Sequence, residues 1–324
     1  MPLAFPSHQP DEIGPLADSL MQALGPLVTS EDRAAVLKAL EGIPFTDVAS
    51  IGLEVTLPPH APSCDLSLLL APGLVPSFAT HPALHRLAEE TARRESGSTW
   101  WELDTSKGSG SGGFVRILDG VDGHAACMEA IGSDDPALTE AMERLNSISG
   151  IVSGGCYMLG FFPDRVPSAA AGLLALKSGT LTSVVNTIAT ADINAVGIAH
   201  VDPEDPHIVR MIEAFGGFGI AVGCDSLGRV GVAAEFAFAD RVPAMIDRRW
   251  DAVFGRLDLG AANDAVPYLL NTQTIHDFRD FFPLTVLSGI DHLKVTPDGR
   301  MKAYVGALPF QRGVGINGLP PGMP

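Results

Sequence analysis

Apolar residues follow two spacings that alternate along the chain. After Ser30-Glu31-Asp32, the residues Ala34, Val36, Leu37 and Leu40 fall on one face of a helix. A hydroxyl cap and acids in the first turn mark where that helix opens. The period then drops to two in Ala49–Leu57, and after a proline-rich turn Asp65–Leu70 completes a hairpin. The same succession recurs. Pro82–Glu90 reads as a helix with proline at its first position, followed by strands at Thr99–Asp104 and Phe114–Leu118. Asp135–Leu145 repeats the cap-proline opening, with Tyr157–Phe162 and Gly172–Lys177 as its hairpin. Asp205–Gly216 is a fourth helix, stopped by glycine, with strands Gly219–Cys224 and Val230–Phe238. A last helix spans Val242–Leu257. After a looser, partly helical stretch, Ile290–Thr296 turns at Pro297-Asp298-Gly299 and returns as Met301–Leu308.

The chain therefore reads as five helix-hairpin units, with weak similarity among the openings at Pro82, Pro136 and Pro206. The segment Thr182–Val201, read as a helix and an extra strand, stands outside the count. The expected fold is α/β (α+β): an antiparallel β-barrel of about ten strands with helices outside, since closure removes exposed sheet edges. Tandem open α+β sandwiches are the alternative. Residues 1–30 read as a partly ordered extension with a short helix near Ala17–Leu24. Residues 31–312 form the single barrel domain, and 313–324 a flexible Gly/Pro-rich tail.

Composition narrows the function classes. Of 324 residues, 46% are hydrophobic and 18% charged, enough for a large core. No apolar run reaches the ~18–20 residues of a membrane-spanning helix, and no secretory signal opens the chain. A cytoplasmic location is expected. The net charge of −17 and the lack of a Lys/Arg cluster argue against a nucleic-acid partner. Cys64, Cys127, Cys156 and Cys224 form no close pair, which disfavours zinc and redox motifs and leaves buried reduced thiols. No metal or other cofactor is expected; a role for Mg²⁺ is open, and so is the oligomeric state.

About five α-ββ units in a chain of this length resemble the ABBA-type aromatic prenyltransferases, whose ten-stranded antiparallel barrel is ringed by helices. Two segments add to the likeness. Gly52-Leu53-Glu54-Val55-Thr56 is similar in place and pattern to the first-hairpin Glu with which the fungal indole branch holds the acceptor N–H. Lys302-Ala303-Tyr304 matches that branch's Lys-x-Tyr, which binds the diphosphate. The chain departs from the family in having three tyrosines (Tyr157, Tyr268, Tyr304) and five lysines.

Strand alternation sorts the candidate side chains. Glu54 shares a face with Gly52 and Thr56, while Lys302 and Tyr304 share one with Gly306. Glu102 lies with Trp100 and Asp104, Arg116 with Phe114 and Leu118, and Lys294 with His292; Lys177 ends an apolar strand. In a helix-covered barrel these faces line the lumen. The resemblance then implies that Arg116, Lys177, Lys294 and Lys302, with the Tyr304 hydroxyl, neutralise a departing diphosphate. Glu54 orients the acceptor ring and helps remove its proton, and Trp100 stacks on the cation or the acceptor. The partners so implied are a prenyl diphosphate and an aromatic acceptor, or another nucleophilic small molecule or peptide, in secondary metabolism. A cyclase or isomerase acting on a neutral molecule, and a non-catalytic protein that binds an apolar metabolite or peptide, are the alternatives. Other motifs point to turns and caps: Gly108–Gly113 lacks phosphate-loop spacing and reads as a flexible loop between strands, and Gly216-Gly217-Phe218-Gly219 follows a helix. His200, Asp202, His276 and Asp277 make a poor metal set, and no GxSxG elbow is present.

Overall fold

The computed structural model describes residues 10–93, 98–105, 110–116, 129, 158–161, 170–177, 219–224, 230–238, 241–278, 284–295 and 300–311. The helices expected at 135–145 and 205–216, the segment 182–201 and the tail 313–324 lie outside them.

Helix α1 (Gly14–Leu24) and helix α2 (Ser30–Ala39) precede strand β1 (Val48–Thr56) and strand β2 (Cys64–Leu70). The cap of α2 is Thr29, one residue earlier than expected; its hydroxyl accepts from the Asp32 N–H at 3.0 Å. Helix α3 (Pro82–Ala92) opens on proline as read, and the His81 side chain accepts from the Ala83 N–H. Next come β3 (Ser98–Asp104), β4 (Gly110–Arg116), β5 (Met158–Phe161), β6 (Ala170–Lys177), β7 (Gly219–Cys224) and β8 (Val230–Phe236).

The helix expected over Val242–Leu257 is two, α4 (Arg241–Ile246) and α5 (Arg249–Phe254). Arg248 parts them with φ 52°, a left-handed conformation that stops the first helix. Helix α6 (Val266–Leu270) leads to a strand that the periodicity did not reveal, β9 (Thr274–Asp277). Strands β10 (Leu284–Val295) and β11 (Met301–Gln311) form the long terminal hairpin.

One antiparallel sheet holds all eleven strands found among the described residues, in the order β11-β1-β2-β3-β4-β5-β6-β7-β8-β10-β9, with β11 also paired to β10. The two halves are thus not separate sandwiches. β11 bonds β1 along one edge and β10 along the other. β10 in turn bonds β8 through Leu293–Val295 and β9 through Thr285–Ser288.

The sheet face that meets the helices is the apolar one. Ile51, Leu53 and Val55 of β1, Leu68 of β2, Trp101 of β3, and Ala303, Val305 and Ala307 of β11 have no solvent exposure. They pack in one core with Leu20 and Leu24 of α1, Val36 of α2, Leu84 and Leu87 of α3, and Trp250 of α5. Each of the Val, Leu and Ile side chains contributes roughly 1.5–3 kcal/mol on burial. That packing fixes the strand faces, and so turns Glu54, Lys302 and Tyr304 to the opposite side.

Candidate active site

Three cross-strand registers assemble the site. Tyr304 of β11 stands opposite Glu54 of β1, and Glu54 opposite Asp65 of β2. On the other edge of β11, His292 of β10 stands opposite Tyr304, and Lys294 opposite Lys302. One row across four strands therefore reads His292, Tyr304, Glu54, Asp65. Directly opposed side chains are the closest neighbours a sheet offers. Beside this row Gly306 faces Gly52, so that no side chain fills the strip next to Glu54 and Tyr304.

The Lys302 ammonium donates to Glu54 Oε1, and both side chains are mostly buried, at 19% and 15% exposure. The Lys294 ammonium sits 5.7 Å from the centre of the Tyr304 ring, within the range of cation–π attraction. His292 stacks on the other partner of that contact: its ring lies 3.9 Å from the Tyr304 ring at 18°.

Carboxylates outnumber cations near Glu54. Asp65 is pushed up to about 6, first by burial, then by the charges of Asp104 and Glu54, with Lys302 and the Thr105 N–H opposing. That N–H donates to Asp65 Oδ1 at 3.0 Å, and the Thr105 hydroxyl lies 2.6 Å from Asp32 Oδ1 on α2. Cys64, next to Asp65, is fully buried, and burial, followed by the charges of Asp32, Asp65 and Glu54, pushes its thiol up. Among the described residues, no group of three or more His, Cys, Asp or Glu is placed to hold a metal ion. No described helix is long and apolar enough to cross a membrane.

At the other end of the row, β10 carries an irregularity between Ile290 and His292. The extra residue, Asp291, is drawn out of the strand alternation. Its carboxylate accepts from Arg241 Nη1 at 2.8 Å and lies 2.6 Å from His292 Nδ1. Arg241 and the His292 contact hold Asp291 down at about 2, against a burial cost. His292 Nε2 is buried and has no hydrogen-bond partner among the described residues.

The structure thus brings Glu54, Lys294, Lys302 and Tyr304 together. Trp100 stands farther along the same face, opposite Leu69 of β2 and Phe114 of β4. Arg116 stands opposite Ser98 and Met158, and Lys177 opposite Gly219, by backbone register; their side chains lie outside the described residues. Asp65, Asp104, Asp291, His292 and Arg241 were not among the residues singled out for a site. Asp65 and His292 could have been found by extending the Glu54 and Tyr304 row to the neighbouring strands. Asp291 could not, because a bulge leaves no mark on a strand's alternation beforehand.

No family model matches the sequence, and no curated protein matches it. Solved structures do. A 6-dimethylallyl tryptophan synthase superposes with a TM-score of 0.53 at 13% identity, covering 91% of this chain and 96% of that one. The 6-dimethylallyltryptophan synthase of Micromonospora olivasterospora, solved with DMASPP and Trp, gives 0.53 at 12% identity, covering 92% and 97%. The prenyltransferase PriB, solved with L-tryptophan and dimethylallyl thiolodiphosphate, gives 0.46 at 16%, covering 92% and 96%.

The chain shares the fold of the aromatic prenyltransferases. The likeness runs over nearly the whole length of both chains. At this identity the prenyltransferase fold carries no residue from those proteins to this one, and the chemistry has to be argued from the side chains above.

Proposed function

We propose that this protein transfers a prenyl group from a prenyl diphosphate to an aromatic acceptor. In this reading the circuit of pairings from β11 through β1–β8 to β10, and back to β11, wraps into a barrel. The face carrying Glu54, Lys302 and Tyr304 lines its lumen. The observation that carries the proposal is the Lys302–Glu54 contact beside Tyr304, in a chain of prenyltransferase fold. It puts a cation and a carboxylate side by side on a face away from the helix-packed core.

The chemistry follows from charge. Two opposite unit charges about 4 Å apart attract by about 4 kcal/mol at an effective dielectric near 20, so Lys302 and Glu54 hold each other in the absence of substrate. A diphosphate carries several negative charges and draws Lys302 from the single carboxylate. Lys294, Arg116 and Lys177 add positive charge, and the Tyr304 hydroxyl donates to a phosphate oxygen. As the C–O bond to the prenyl group breaks, these groups meet the charge that develops on the leaving diphosphate. Glu54, released from Lys302, accepts the N–H of the acceptor and holds the ring against the cation. Trp100 provides an aromatic face farther along.

A second reading has its own support. Asp65 and Asp104 give the site an acidic excess, which suits a cyclase or isomerase with a neutral substrate better than an anionic one. Ligand binding separates the two. Dimethylallyl thiolodiphosphate, an unreactive donor analogue, should raise the melting temperature of the protein by several degrees, and dimethylallyl alcohol at equal concentration should not. Lys302→Ala should remove the shift. Equal stabilisation by the alcohol supports the neutral-substrate reading and removes the diphosphate from the account.

A further inference from the structure

We propose that His292 is the base that takes the proton from the acceptor ring after the prenyl group has attached. The inference rests on the prenyl-transfer reading and adds a catalytic residue to it.

The geometry of the imidazole is the argument. Its Nδ1 lies 2.6 Å from Asp291 Oδ2, and that carboxylate is anchored by both of its oxygens to Arg241 Nη1, at 3.0 and 2.8 Å. A carboxylate held by a guanidinium accepts hydrogen bonds and donates none. The proton of the neutral ring therefore sits on Nδ1, and Nε2 is left with its lone pair. The second shared contact, stacking on Tyr304 at 3.9 Å, fixes the plane of the ring. Nε2 is fully buried with no partner among the described residues. A buried acceptor left unpaired costs about 1–3 kcal/mol, a cost understandable where a substrate proton is the intended partner. An oriented Asp–His pair with a free Nε2 is the arrangement by which enzymes hold a base ready.

Position agrees with the role. His292 and Glu54 flank Tyr304 in one register row, two strand spacings apart, or roughly 10 Å between backbones. A ring whose N–H is held by Glu54 and which lies over Tyr304 brings its far edge to His292. The charged and titratable groups around the imidazole are Asp291 and Lys294 on its own strand, Arg241 on α4, Tyr304 and Lys302 on β11, and Glu54 on β1.

The step balances as follows. The C–O bond of the donor breaks and its electron pair leaves on the diphosphate. The prenyl carbon bonds to a ring carbon, which becomes tetrahedral and leaves the ring cationic. Nε2 takes the hydrogen of that carbon as a proton, and the C–H electron pair restores the aromatic ring. His292 is then an imidazolium, stabilised by Asp291, and returns its proton to water as product leaves.

The test uses the full-length protein with dimethylallyl diphosphate and L-tryptophan as probe substrates. His292→Gln should lower kcat by about 100-fold or more, while its affinity for dimethylallyl thiolodiphosphate, by calorimetry, stays within about twofold of wild type. Ring-deuterated tryptophan should show little isotope effect on the wild-type rate and a primary effect on the variant, because proton removal becomes the slow step. Independently of turnover, ¹⁵N spectra of the free protein should show the His292 proton on Nδ1. A variant that keeps wild-type kcat, one that loses donor affinity in proportion to rate, or a resonance that places the proton on Nε2 each overturns the assignment of His292 alone. A wild-type protein that neither binds nor turns over prenyl diphosphates overturns the prenyl-transfer reading, and this role with it.

Discussion

Asp65 shows how a single residue records the balance of charge in the site. Its carboxyl is raised from 3.8 to about 6 because burial, Asp104 and Glu54 together outweigh Lys302 and the Thr105 N–H. A carboxyl raised in the fold favours the protonated form there. Its contribution to stability is complete below about pH 4, is lost as pH climbs from there through about 6, and then stays lost. The rise from 3.8 to about 6 corresponds to about 3 kcal/mol at full strength, and solvent screening of a half-buried group reduces this to roughly 1–2 kcal/mol. Asparagine imitates the protonated acid and keeps an oxygen for Thr105. Asp65→Asn should therefore stabilise the protein by that amount at pH 8, with the gain fading as pH falls through about 6 and gone by about pH 4. Urea unfolding at the two pH values measures it, and a loss of stability at pH 8 would mean that Asp65 is held as a needed anion. At this scale the sequence was partly legible. Glu54, Lys302 and Tyr304 stood out as polar residues at fixed alternation in apolar strands. Asp65 did not, because an acid at the start of a strand looks like a turn residue until its cross-strand partners are known.

Among the elements, β3 separates the two faces most cleanly. Trp101 has no exposure and packs in the helix-covered core, while its neighbour Trp100 is half-buried on the side of Glu54. Trp101→Ala should cost about 3–5 kcal/mol through the cavity it leaves. Trp100→Ala should cost about 1 kcal/mol or less and act chiefly on substrate affinity. Equal costs in denaturant titrations would show that both faces of β3 are packed alike, and would remove the open face on which the site depends. Hairpin positions were readable because period-two runs broke at proline and glycine, as for β1 and β2. The boundaries were less so. Gly110–Gly113, read as loop, belong to β4, where they pair with Trp101–Asp104; backbone hydrogen bonds need no side chain, so glycine content hid the strand. β9 was missed because four residues next to a helix carry too little periodicity. Arg248 split a continuous apolar helix pattern by a single backbone conformation that residue type does not announce.

At the scale of the molecule, the order of helix and hairpin was the most legible property among the described residues, as in α2-β1-β2 and α3-β3-β4, since such a unit carries a full change of period from about 3.6 to 2. What no unit carries is its partner across long range. The pairing of β11 with β1 joins residues some 250 positions apart, and it is this pairing that sets Lys302 against Glu54. Fold resemblance and site geometry meet at that contact, so the decisive measurement is made there. Wild-type protein and Glu54→Gln are incubated with dimethylallyl diphosphate and L-tryptophan, and both prenylated product and released diphosphate are quantified. The account predicts one diphosphate released per dimethylallylated product in the wild type. In the glutamine variant it predicts donor binding at least as tight as in the wild type, since Lys302 no longer has a carboxylate to leave, and turnover lowered by about 100-fold. A folded wild-type protein that yields no product with tryptophan or other aromatic acceptors, or a variant that works at the full wild-type rate, would contradict it.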